Sequence, residues 1–180
     1  MAAIPVKIKM LSDKAITPKR ATVGSVAYDV YVPEDTTIRR GRQVIPLQFA
    51  IELPDKCHEA KIEPRSGFSS KGMEGYARCL KSEPTFGPRL NEGMGIKAVE
   101  YIAAQPDRFD ADVLTGKIDS DFRNSVGVII NSHDERDFLV KAGTRIAQMT
   151  IYKVPETVFV AVSELSETDR KGGFGHTGTK

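Results

Sequence analysis

A chain of 180 residues, 40% hydrophobic and 28% charged, is long enough for one domain with a sizeable core and has the balance of an ordinary soluble globular protein. Lys and Arg total 26 against 24 Asp and Glu, a net charge of only +2 with the signs interleaved, so polymeric nucleic acid is not an expected partner. No apolar run of about 18 residues is present, residues 1–7 lack the layout of a signal peptide, and Cys57 and Cys79 have no metal-ligand spacing; a soluble cytoplasmic protein with reduced thiols and no membrane contact is expected.

Short runs of β-branched and aromatic residues, separated by turn signals, dominate the chain from its start. Residues 6–10 alternate. Val26, Tyr28, Val30 and Val32 then alternate with Ala27, Asp29 and Tyr31 until Pro33 ends the run. Asp29 lies inside that apolar strand, where a carboxylate must be solvated or paired because burying it alone is prohibitive. Simple solvent exposure, on the face shared with Ala27 and Tyr31, is the plainer alternative. Further strands are expected over 43–53, 58–62, 126–131, 145–154 and 157–162, a pattern that suggests an all-β sandwich, jelly roll or barrel.

Between the strands, three segments have side chains suited to chemistry and a fourth interrupts the β pattern. In residues 63–72, Pro64 suits the first turn of a helix, which would place Arg65, Ser66 and the following amides where a phosphate is welcome; a capped surface helix with an exposed Arg fits the same residues. Residues 73–110 break the β pattern with Pro84, Pro88 and Pro106 and with one helical period, Ile96, Val99, Ile102 and Ala103, stopped by Pro106. They read as an excursion containing a short helix. In residues 116–124, Asp119 and Asp121 sit two apart and suit metal or base chemistry, or simply an Asp-rich turn. Residues 143–149 form a turn into a strand, on which Arg145 and Gln148 read equally well as surface residues.

The final segment, 170–180, places Arg170, Phe174, His176 and Thr177 among four glycines. Such a sequence suits a lid that orders over a ring and an anion, or a frayed end.

Taken in order, Ala27–Asp29, Pro64–Gly67, Gly116–Arg123, Arg145–Gln148 and Arg170–Gly178 resemble the five motifs of the trimeric dUTPase family. The resemblance spans residues 27 to 178 and is specific as a set. It implies a distorted jelly-roll homotrimer with active sites shared between subunits. It also implies hydrolysis of dUTP to dUMP and pyrophosphate with Mg2+ on the triphosphate, which limits uracil in DNA and supplies dUMP for thymidylate synthesis. By the match, Asp119 is the general base for water attacking the α-phosphorus. Arg65, Ser66 and Gly67 hold the phosphates, and Asp29 reaches the metal through a bound water. Gln148 contacts the phosphates or their water. Arg170 and Thr177 close on the γ-phosphate, and Phe174 stacks on uracil; His176, a phosphate-sized donor of the same segment, is a further substrate-binding candidate. Phe122, where the family usually has Tyr, packs on deoxyribose and leaves a 2′-hydroxyl unpaired, at a cost to UTP of about 1–3 kcal/mol.

The expected organisation is therefore a β domain over 1–169, containing the 73–110 excursion, followed by an active-site arm over 170–180. Three features depart from the family. Arg65 and Asp119 are separated by far more sequence than usual, the excess being the excursion. Val113 stands where an Asn usually helps to read uracil, and the spacing from Arg170 to Phe174 is one residue short. A dCTP deaminase shares the fold but needs a Glu on the strand over 126–131, which has none, and typically a Ser where Gly67 stands. A regulatory protein binding a partner through the excursion is the alternative from another functional class. The excursion packing beside the active site or extending the trimer contact is the simpler expectation.

Overall fold

The computed structural model describes residues 3–85 and 95–169. Alternation in the sequence becomes alternation in burial: over His58–Glu63 the residues His58, Ala60 and Ile62 are buried while Glu59, Lys61 and Glu63 face outward. In chain order the strands are β1 (Lys7–Met10), β2 (Tyr28–Tyr31), β3 (Thr36–Ile38), β4 (Gly41–Pro46), β5 (Phe49–Glu52) and β6 (His58–Glu63). A helix, α1 (Ser66–Lys71), follows, then β7 (Met73–Thr85), β8 (Gly95–Ile102), β9 (Asp107–Phe109), β10 (Ala111–Leu114) and β11 (Gly116–Ile118). The last strands are β12 (Gly127–Ser132), β13 (Phe138–Val140) and β14 (Arg145–Lys153).

The strands assemble into a jelly-roll-type β domain. One sheet has the order β11-β6-β14-β2, a second β10-β12-β4, and a third β3-β13-β7-β8 with β9 also on β7; β1 pairs with β5. Every pairing between these strands is antiparallel, so each inward face is a set of alternate residues. Those faces meet in one core that includes Val30, Leu47, Phe49, Ile62, Phe109, Ile130, Phe138 and Ile146. Phe109 stacks on Phe138 with ring centroids 4.2 Å apart, tying β9 to β13.

The sequence reading needs three corrections. The run expected over 43–53 is two strands, because Gln48 takes a left-handed φ of 59° between β4 and β5. The helix expected around Ile96–Ala103 is instead β8, paired along its length with β7 from Arg78↔Ile102 to Thr85↔Gly95. Three of its four marker residues are β-branched, and a long partner strand outweighs a weak helical period. The strand expected over 157–162 is absent: Val158 is 84% and Phe159 100% exposed, with Val160 and Val162 exposed as well. Alternation supplied the pattern there, but among the described residues no neighbouring strand takes it up.

Candidate active site

The site begins with strand register. On the four-stranded sheet Asp29 of β2 stands opposite Gln148 of β14, which stands opposite Glu63 at the end of β6. The chain leaves β6 through Pro64, and Arg65 keeps an extended backbone (φ −80°, ψ 141°) as the N-cap of α1. Pro64 therefore precedes the cap instead of lying in the first turn. Phe68 is buried and fixes the helix to the core, so Arg65 is directed back over the sheet towards Asp29.

Asp29 is only 8% exposed, and both of its carboxylate oxygens accept bonds from guanidinium groups. Arg65 Nε donates to Oδ1 at 2.9 Å, and Arg145 Nη1 donates to Oδ2 at 3.3 Å. This answers the question the sequence left open: Asp29 is neither solvated nor alone, and two charge-assisted bonds offset its burial. Arg145 reaches it across a register shift between Arg145 and Ala147, a bulge that re-aims a side chain near the end of a strand. Sequence reasoning left Arg145 as a surface residue. Its neighbours Thr144 and Ile146 give no hint of the bulge that brings it inward.

The turn that delivers Arg145 is itself held. Asp35 accepts from Lys141 Nζ at 2.8 Å and from the Ala142 amide at 3.0 Å. The Lys141 bond, and then the Ala142 amide, hold the Asp35 carboxyl below the usual carboxylate range. Gly143 closes this turn at φ 81°, a conformation that glycine adopts without strain.

Asp29, Arg65, Ser66, Gly67 and Gln148 together line one cavity of about 300 Å³, completed by Ala21 and the stretch from Ser25 to Ala27. Three of the five sequence motifs therefore converge here: the strand of Asp29, the Arg65–Gly67 segment and the strand of Gln148. Ala21 and Ser25 were not anticipated; the only signal is the Thr22–Ser25 turn, whose hydroxyls bond at 3.0 Å.

Asp119 is elsewhere. It follows β11, whose Ile118 pairs with Ala60 near the start of β6, whereas Gln148 pairs with Glu63 at its end. Strand rise and spacing put Asp119 roughly 20 Å from Asp29 within one chain. Asp119 is exposed in a turn closed by the Phe122 amide on the Asp119 carbonyl at 3.1 Å. Arg123 braces that turn by donating to the carbonyls of Ser120 (2.7 Å) and Phe122 (2.9 Å), leaving the Phe122 ring partly exposed. Val113 is buried on β10 against Ile130, so its side chain belongs to the core. Arg170, Phe174, His176 and Thr177 lie outside the described residues.

A family model described as dUTPase matches residues 13–77 and 110–178. Curated relatives include a deoxyuridine 5'-triphosphate nucleotidohydrolase of Arabidopsis thaliana, 34% identical over 96% of this chain and 82% of its own length. Another, of Syntrophotalea carbinolica, is 31% identical over 99% of both chains. Among solved structures, the dUTPase of Staphylococcus bacteriophage 80alpha with dUpNHpp superposes with a TM-score of 0.68 at 21% identity, covering 95% of this chain and 96% of that one. The dUTPase of phage phi11 of S. aureus, described with a species-specific insert, gives a TM-score of 0.62 at 17% identity over 91% and 99%.

Proposed function

The chain belongs to the dUTPase family, and from that membership we propose that it hydrolyses dUTP to dUMP and pyrophosphate at a site completed between subunits of a homotrimer. The observation that carries this reading is the cavity wall on which Asp29, Arg65, Ser66, Gly67 and Gln148 converge. Arg65 and Ser66 offer donors to phosphate oxygens, and Gln148 holds a phosphate oxygen or the water beside it. Asp119 takes a proton from water as its oxygen bonds to the α-phosphorus and the bond to the β-phosphate oxygen breaks, releasing pyrophosphate.

The separation of Asp119 from that cavity supports a shared site. Asp119 stands roughly 20 Å from the Asp29 carboxylate that Arg65 bonds, a gap that the Asp119 of a neighbouring subunit would close. The exposed 157–162 run supports association too, since a strand-like segment with Val158 and Phe159 in water favours a partner surface. Arg170 and Thr177 then close on the γ-phosphate while Phe174 covers uracil, and Phe122 packs on deoxyribose.

The residues suit a magnesium ion carried by the triphosphate. Asp29 offers hard carboxylate oxygens already engaged by guanidinium groups, so its reach to an ion is through water, and among the described residues no cluster of three His, Cys, Asp or Glu forms a protein cage. When bound, the ion supplies charge neutralisation at the phosphates. A variant of the phi11 dUTPase is described with a structural Mg(II) ion.

The test is pyrophosphate release from dUTP, dCTP, dTTP and UTP by the purified protein. Strong preference for dUTP is expected. Equal turnover of dCTP would overturn the reading, and a monomer in sedimentation would separately overturn the shared site.

A further inference from the structure

Most of the inserted arm, residues 78–109, lies between the two stretches that match the family, and its last three residues make unusual contacts. As β9 they return along Met73–Gly75 at the root of β7, directly after α1. Gly72 caps that helix at φ 76°, and its backbone lies so close to β9 that an added Cβ would stand 2.6 Å from the Phe109 carbonyl oxygen. Arg108 Nη1 donates to the Gly72 carbonyl at 3.2 Å, and Nη2 donates to Glu74 at 3.4 Å. Phe109 is buried on Phe138, so β9 is anchored to the body as well as to the helix.

At its other end α1 begins with Ser66 and Gly67, preceded by Arg65, all on the cavity wall. A helix of six residues spans only about 9 Å and moves as one piece, so displacement at Gly72 is passed to Ser66. We propose that Arg108 is a positioning residue for the reaction: it clamps the C-terminal end of α1 through the Gly72 carbonyl and so fixes Arg65 and Ser66 at the phosphates. The arm's return strand thereby becomes part of the catalytic scaffold. This rests on the phosphate-binding reading given above.

The experiment compares wild type, Arg108→Met, Arg108→Lys and Gly72→Ala as full-length proteins, measuring affinity for dUpNHpp and for dUMP, together with kcat and KM. Methionine keeps the stem and removes the donors. Arg108→Met is expected to weaken dUpNHpp about three- to tenfold while dUMP binding changes far less, with Arg108→Lys restoring most of the difference. Gly72→Ala, strained in φ and in space, should show the same selective loss with a larger amplitude. Equal losses for both ligands, or none for either, in Arg108→Met would overturn the proposal while leaving the function reading intact. A wild type that neither binds dUpNHpp nor turns over dUTP would overturn both.

Discussion

Arg65 and Asp29, 36 residues apart in sequence, are joined by a 2.9 Å bond from Nε to Oδ1 that turns the start of α1 towards β2. Asp29 also accepts from Arg145, so one nearly buried carboxylate organises two cations from two different elements. Its first role is therefore to hold two guanidinium groups in place.

Asp29→Asn should leave both arginines facing each other without a counter-charge. We expect kcat/KM to fall at least tenfold, and stability by about 1–3 kcal/mol, the partners' partial exposure moderating the cost of a broken buried pair. Urea denaturation and steady-state kinetics measure the two effects, and an unchanged kcat/KM would remove Asp29 from the site.

Asp119→Asn should lower kcat by about 10²- to 10⁴-fold with dUpNHpp binding retained. The roughly 20 Å separation adds a sharper expectation. Inactive Asp119→Asn and Arg65→Ala chains, unfolded together and reassembled, should regain turnover, because some mixed sites receive both native residues. No recovery on mixing would argue that each chain completes its own site.

The pH dependence of stability should include a contribution from the turn that delivers Arg145. Asp35 is held below its ordinary carboxylate range by Lys141 and the Ala142 amide. A lowered folded-state pKa contributes stability that is fully present above the unfolded value, about 4, and is lost as pH falls through the folded value. Chemical denaturation between about pH 6 and 3 should therefore show a shallower acid loss in Asp35→Asn than in wild type. Identical slopes would exclude Asp35 as a contributor.

Removing residues 170–180 should leave an assembled protein with severely reduced turnover of dUTP, read by sedimentation and pyrophosphate release. Undiminished activity would show that Arg170, Phe174, His176 and Thr177 are dispensable.

Much of this is legible in the sequence, for physical reasons that also explain the gaps. Alternation in residues 58–62 marks β6 because that strand has one buried face, and the apolar run over 145–154 marks β14. Arg65 and Gln148 were found by the order of their motifs, and their convergence follows from register. Arg145 was missed because a bulge, not spacing, aims it. The arm was misread because Ile96, Val99, Ile102 and Ala103 satisfy a helical period as well as a strand, and only the partner β7 decides between them. The distance between Asp119 and Asp29 was invisible, since it depends on which ends of β6 meet β11 and β14.

The exposed run over 157–162 has a consequence for handling and for dominance between alleles. Five apolar side chains in six residues, with no charge or proline among the six, make a sticky ribbon whenever the chain is alone. If a neighbouring subunit covers it in an assembly, dilution uncovers it, so solubility should worsen as the protein is diluted below its assembly threshold. A subunit defective in association would then poison a mixed population by precipitating with its healthy partners as well as by failing to catalyse.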